Sequence, residues 1–274
     1  WQGSGGNPAE MTNPLLIEQR GAIEILTLNR PEKLNTMNED MIFALQDYFR
    51  GLQKRLDVRV VLFRAEGRAF CAGLDIGGWK NDGSRGQVQH VWNTQRSIAT
   101  VMQLMRQCPQ PVIALAQGAA CGGGFSLLLA SDVRFGAPSL KMNAAYIKIG
   151  LGGCDMGSSY FLPRMVGASI ASELILTGRF IHAERAEKYG LISEVVDEDK
   201  LLATGLSLAG EMLDTAPMGL RLSKDALNRN IDAQSFEAAL AIEDRQQVML
   251  SMTEDSREAA KAFFAKRKPD YKDR

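Results

Sequence analysis

The stretch "GAACGGGFSLLLASD", residues 118–132, sets three glycines in a row between two apolar runs. Glycine loses more backbone freedom on folding than any other residue, so Gly122, Gly123 and Gly124 together are a costly choice. Such a run is kept where another group must come close to the backbone or where free N–H groups are needed. The preceding "PVIALAQG" reads as a buried strand and the following "FSLLLA" as the start of a helix. At a strand-to-helix turn the first helical N–H groups lack partners, and the helix dipole favours negative charge there. A second glycine-punctuated loop, "GRAFCAGLDIGGW", follows another strand-like run, "VRVVLFRA".

Two familiar uses of such glycines fail on detail. "GGGFS" is not G-x-G-x-x-G, and no Gly-Lys pair followed by Ser or Thr occurs, so a nucleotide-phosphate loop is excluded. Ser126 is followed by Leu127 and Leu128, which excludes the nucleophile elbow of a hydrolase. Close helix packing would explain a lone triplet. The pairing of two loops points instead to two backbone donors converging on one developing oxyanion.

The rest of the front half reads as α/β. "LLIEQR" and "AIEILTLN", divided by Gly21, are strand-like, and "NRPEKLN" is a turn. Asn38 stands where a helix cap belongs, with Met41, Leu45, Phe49, Leu52 and Leu56 at helical spacing behind it. A second helix is expected near 90–107 with Val91, Ile98, Met102 and Met105 on one face. "DVRFGAPSLKMN" supplies two more short strands, and from about residue 168 the pattern turns helical. Thirty-two basic residues balance thirty-two acidic ones, so no global field draws the chain to nucleic acid or an anionic membrane. No apolar run reaches the roughly 18 residues of a membrane span. Four scattered cysteines without metal-like spacing favour a reducing, cytoplasmic setting and imply no metal site.

"RAFCAGLDI", "GAACGGGFSLLLASDVRFGA", "LTGRFIHAERAEKYGLISEVV" and "AFFAKRKPDYK", with "NRPEKLNTMN" ahead of them, resemble the crotonase superfamily, the enoyl-CoA hydratase/isomerase family. The resemblance implies an α/β fold, a crotonase-like spiral of ββα turns with a C-terminal helical region. Its expected divisions are a tag remnant or disordered tail at 1–12, a spiral core at 13–205, and a helical region at 206–274 for trimer formation and coenzyme A contact. It also implies an acyl-CoA thioester whose carbonyl oxygen sits between the N–H groups of Leu74 and Gly123. The coenzyme A portion would lie against Lys33, Ala72, Asp75 and Ile76, with Phe263 and Lys266 of the last helix, often across a subunit boundary. Coenzyme A is then part of the substrate, no separate cofactor is expected, and the assembly would be a homotrimer or a dimer of trimers.

A hydratase of this family uses two carboxylates to place water and deliver a proton. The positions that the resemblance assigns to them hold Ser126 and Tyr146, and no Asp or Glu occurs between Asp132 and Asp155. Asp155 stands where some members carry an acid, so it is the expected acid/base, with Ser126 and Tyr146 positioning water or steadying it. Burial among Cys154, Met156 and Gly157 would raise its pKa. The competing expectation is that Asp155 caps a helix begun by "MGSSYFLPR". With one acid, double-bond isomerisation is the simplest chemistry and atypical hydration the neighbouring one. The alternatives are C–C or thioester hydrolysis, or a non-catalytic coenzyme A- or RNA-binding member, although the balanced charge argues against RNA.

Overall fold

The computed structural model describes residues 13–75, 77, 79, 83 and 86–274. Two sheets order the front of the chain. The larger has six strands: β1 (Leu15–Arg20), β2 (Ile23–Leu28), β3 (Val60–Ala65), β4 (Val112–Ala116), β6 (Val133–Gly136) and β9 (Glu194–Val195), side by side in that order. The smaller has three: β5 (Ala119–Cys121), β7 (Lys141–Asn143) and β8 (Ile181–His182), in that order. β1 and β2 form an antiparallel hairpin across Gly21, pairing Leu15 with Leu28, and every later neighbour in the large sheet is parallel.

Parallel strands covered on both faces should be mostly apolar, and the central β3 and β4 are, with Arg64 the one charged residue between them. Along β3, Val61, Phe63 and Ala65 join one core while Val60 and Leu62 join the other. β4 divides in the same way, with Val112, Ala114 and Ala116 opposed to Ile113 and Leu115. The first core is closed by α1 (Glu39–Gly51), α2 (Gln87–Gln107) and α3 (Gly123–Ala130). The second is closed by α7 (Leu201–Leu213), which contributes Leu201 and Ala209. The expected division after residue 205 therefore falls inside a helix that covers the main sheet. α4 (Ser158–Val166), α5 (Ala168–Thr177) and α6 (Ala183–Lys188) follow the triplet's helix, before α8 (Pro217–Asn230), α9 (Phe236–Ser251) and α10 (Glu254–Phe264).

Asn38 caps α1 as expected, accepting from the Met41 N–H at 3.1 Å. Leu56, expected on the buried face, is exposed because α1 ends at Gly51 and the chain turns before reaching it. Val91 is exposed as well, since α2 extends past the core at its first turns, whereas Ile98, Met102 and Met105 are buried. The short strands β8 and β9, each of two residues, interrupt the stretch that reads as helical. The helical tail is pinned by Lys224 of α8, whose buried ammonium donates to Gln110 O at 2.7 Å and meets the Asp132 carboxylate at 2.8 Å. No helix among the described residues is long and apolar enough to cross a membrane.

Two contacts join the segments that carry the glycine loops. Cys71 N–H donates to Ala119 O and Cys121 N–H to Cys71 O, both at 3.0 Å, so Cys71 pairs with Ala120 like a strand. A Cβ on Gly124 would stand 2.1 Å from the Cys71 carbonyl oxygen, a distance no side chain survives. The turn before α1 is held by the fully buried Asn35, which carries a positive φ of 54°. Asparagine tolerates that region better than most residues. Its carboxamide accepts from Arg30 N–H at 2.8 Å and donates to Glu66 O at 2.8 Å and Ala69 O at 2.9 Å.

These contacts predict an asymmetry among the glycines. Gly124→Ala must displace the Cys71 backbone, and we expect it to destabilise by about 3 kcal/mol or to prevent folding, as overpacking against backbone does. Gly51→Ala places its Cβ in open space on a helix end and should stabilise by about 0.5 kcal/mol. Urea denaturation of the two variants checks the contrast. Asn35→Ala strands three backbone groups, the buried Ala69 carbonyl among them, and should cost about 3 kcal/mol by the same measurement.

Candidate active site

Three segments meet where the two loops join. The turn at 30–37 lies along the loop at 71–75: Ala72 N–H donates to Leu34 O at 3.0 Å, Met37 N–H to Gly73 O at 2.9 Å, and Asp75 N–H to Met37 O at 3.0 Å. Because Gly73 and Asp75 make both bonds of this parallel bridge, the N–H of Leu74 between them is turned away from Met37. Gly73 has a φ of +115°, and a Cβ there would lie 3.3 Å from Cys121 O, so the loop runs close against the start of the triplet.

Gly122 takes φ 51° and ψ −117°, a conformation closed to L side chains, and Gly123 opens α3. Among the described residues neither Leu74 N–H nor Gly123 N–H meets an acceptor. Both border Met37: Leu74 pairs with it, and its Cε lies 2.3 Å from where a Gly123 Cβ would stand. The two glycine loops differ in one respect from expectation. The triplet opens an α-helix directly, whereas the α-helix after the first loop, α2, begins at Gln87. The donor expected at Leu74 is freed by strand-like alternation, not by a helix start.

Ser126 and Tyr146, two elements apart in the chain, are brought together. Their hydroxyl oxygens are 2.6 Å apart, and the Tyr146 hydroxyl donates to the Gly122 carbonyl at 2.8 Å. Both side chains are buried, and burial raises the Tyr146 pKa well above its ordinary value, so the phenol stays protonated. Neither hydroxyl bonds to Asp155, contrary to the expectation that they steady it. The reason is geometric: the Gly122 carbonyl stands nearer and takes the phenol's single proton.

Asp155 is half-buried just ahead of α4. Its Oδ1 accepts from the Gln95 carboxamide and from the Met156 N–H, the latter at 2.7 Å, while Oδ2 meets no donor among the described residues. Burial raises its pKa above the usual carboxylate value, with the Gln95 and Met156 hydrogen bonds pulling the other way. It does not cap α4. That helix starts after Gly157 without a side-chain cap, and the Asp155 backbone exchanges bonds with Ser158 instead. Met156 has a positive φ of 45° and puts its Sδ 3.5 Å from the Gly123 Cβ position, so the residue next to Asp155 packs against the triplet. Beside Met156 opens a cavity of about 450 Å³ between α2 and α4, lined in part by Ala99, Met102, Tyr160 and Phe161.

Of the expected coenzyme A contacts, the Lys33 turn and Ala72 share this junction. The Asp75 carboxylate lies 3.1 Å from the Arg30 guanidinium, tying loop to turn. Ile76 lies outside the described residues. Phe263 is 79% exposed at the end of α10 and Lys266 follows it with φ 51°; neither bonds to the junction in its own chain. Three residues of the site escape a sequence reading: Met37, Gln95 and Arg30. Gln95 left a signal, since it continues the Ile98–Met102–Met105 stripe one turn upstream as a polar residue on an apolar face.

The sequence profile described as enoyl-CoA hydratase/isomerase matches residues 18–274. A probable enoyl-CoA hydratase of Mycobacterium bovis is 36% identical over 270 residues, covering 94% of this chain and 93% of its own. The 1,2-epoxyphenylacetyl-CoA isomerase of Escherichia coli is 33% identical over 246 residues, covering 90% and 93%. Among solved structures, that of a probable enoyl-CoA hydratase/isomerase from Mycobacterium abscessus superposes with a TM-score of 0.89 at 33% identity, covering 95% of this chain and 99% of that one. The fold is thus shared with solved structures, and the chain is a member of the enoyl-CoA hydratase/isomerase family, enzymes that act on acyl-CoA thioesters.

Proposed function

We propose that this enzyme shifts the double bond of an enoyl-CoA through a thioester enolate held by the N–H groups of Leu74 and Gly123, with Asp155 carrying the proton. One observation carries the reading. The two positions where a hydratase of this family keeps carboxylates hold Ser126 and Tyr146, whose hydroxyls bond to each other and to backbone, while Asp155 keeps an Oδ2 that meets no donor among the described residues. A single carboxyl can run an isomerisation. From a 3-enoyl-CoA, ionised Asp155 takes a C2 proton, the C2–H pair becomes the new C2=C3 bond as charge passes through the thioester oxygen, and the same proton returns to C4. Nothing is oxidised or reduced, so coenzyme A enters only as part of the substrate. Two amide donors on the enolate oxygen act where the charge develops, and losing one such donor typically costs about 3 kcal/mol of barrier.

The cavity beside Met156 offers room for an acyl group, with Arg96, Gln103, Arg106 and Gln107 in its lining as well as apolar side chains. The coenzyme A portion would follow the Lys33 turn and the loop that begins at Ala72, with Asp75 acting through its ion pair to Arg30. Phe263 and Lys266 would serve a neighbouring copy, in keeping with a trimer or dimer of trimers. Hydration is the second reading, favoured by the names of the mycobacterial relatives.

The test offers a 3-enoyl-CoA and crotonyl-CoA separately and follows the absorbance of the conjugated thioester. We expect absorbance to grow with the first and to hold nearly steady with the second. Asp155→Asn should slow the first reaction by about 10²–10⁴-fold. Full-rate loss of crotonyl-CoA absorbance, or an Asp155→Asn variant at wild-type rate, would overturn the proposal. The pH dependence follows from the raised pKa: the ionised carboxyl is the active base, so kcat/KM falls as pH drops through it. That acid limb should lie above about 3.9, the ordinary Asp value, and vanish in Asp155→Asn.

A further inference from the structure

We propose that Tyr146 and Ser126 are positioning residues for the oxyanion site, acting through the one peptide unit that joins Gly122 to Gly123. This inference rests on the preceding reading that the Gly123 N–H receives a thioester oxygen. The Gly122 carbonyl and the Gly123 N–H are opposite ends of the same amide. The carbonyl takes two donors, the Tyr146 hydroxyl at 2.8 Å and the Ser126 N–H at 3.0 Å. Each donor draws electron density towards the carbonyl oxygen and leaves the N–H a stronger donor, the polarisation that hydrogen-bond chains transmit in a low-dielectric interior.

The direction of the chain follows from counting protons. A phenol has one, and it points at Gly122 O. The 2.6 Å contact with Ser126 Oγ must then be a serine donation to the phenol oxygen. The order is Ser126 hydroxyl, Tyr146 hydroxyl, Gly122 carbonyl, Gly123 N–H, substrate oxygen. Every member before the substrate is buried, so no water competes. The phenol's pKa, raised by burial, keeps it a donor and unsuited to act as a base.

Tyr146 also fixes the amide's orientation. Its ring edge lies 3.4 Å from the Cβ position of Gly122, whose ψ of −117° sets the plane of the peptide leading to Gly123. Gly122 N–H is held from the other side by Asn143 O at 3.0 Å. The peptide is thus gripped at its carbonyl, its ring-facing side and its preceding N–H. Serine and tyrosine stand in place of an acid pair here and serve the amide behind the substrate.

The test reads the amide's grip directly. Butyryl-CoA labelled with ¹³C at the thioester carbonyl is bound to wild type, Tyr146→Phe and Ser126→Ala, and the carbonyl stretch is recorded by difference infrared. Wild type should lower the stretch relative to free butyryl-CoA. Tyr146→Phe keeps the ring but loses the donor, so its stretch should return part of the way to the free value. Its kcat on a 3-enoyl-CoA should fall about 10-fold, with KM changed by less than about 2-fold, because a weakened donor acts chiefly on the transition state. Ser126→Ala leaves the Tyr146 donation in place and should give a smaller shift of the same sign, which keeps the test open if Tyr146→Phe folds poorly. A wild-type stretch equal to that of free butyryl-CoA would sink the oxyanion reading itself. A lowered wild-type stretch that both variants retain would leave that reading standing and overturn this one.

Discussion

The contact on which the site depends is the approach of α3 to the Cys71 carbonyl. Two hydrogen bonds draw residues 71 and 119–121 together, and only the absent side chain of Gly124 lets the helix start settle 2.1 Å, measured to its missing Cβ, from that oxygen. If the two segments stood a methyl group further apart, Leu74 and Gly123 could not border the same Met37. The cost of three consecutive glycines is therefore met by geometry at each one. Gly122 supplies a φ and ψ pair closed to side chains, Gly123 opens the helix, and Gly124 allows the close packing.

The rest of the fold serves to hold that junction still. The parallel sheet delivers β3 and β4 side by side, so the loops that leave their ends begin as neighbours. Asn35 and the Arg30–Asp75 pair then bind the turn before α1 to the first loop. α2 and the segment before α4 bring Gln95 and Asp155 to the triplet's other flank. The catalytic proposal asks for a rigid pair of amides and one adjustable carboxyl. The surroundings of that carboxyl suit a proton carrier, because it is half-buried, is held by a single oxygen and has a raised pKa.

Substituting hydroxyls for carboxylates changes what this family's scaffold can do with water. A carboxylate pair would carry charge into a buried place and need compensation. Ser126 and Tyr146 are neutral, satisfy each other and the backbone, and leave the site with one titratable acid. In the proposed reaction proton movement falls to Asp155, and the family holds both hydrating and isomerising relatives of this chain.

What the residues determine without a structure is local or periodic. Short apolar, β-branched runs mark β2, β3 and β4, spacing marks α1 and the buried half of α2, and the glycine triplet marks a place where backbone must be approached. The exposure of Leu56 and of Val91 was not legible in the spacing, because helix length depends on where the sheet stops supporting it. The meeting of Ser126 with Tyr146, and of Gln95 with Asp155, is decided by tertiary structure alone. Each pair is joined by hydrogen bonds across elements far apart in the chain, and a hydroxyl's partner is fixed by which acceptor the folded backbone brings nearest. Sequence spacing says which residues share a face; only closed packing says which atoms share a proton.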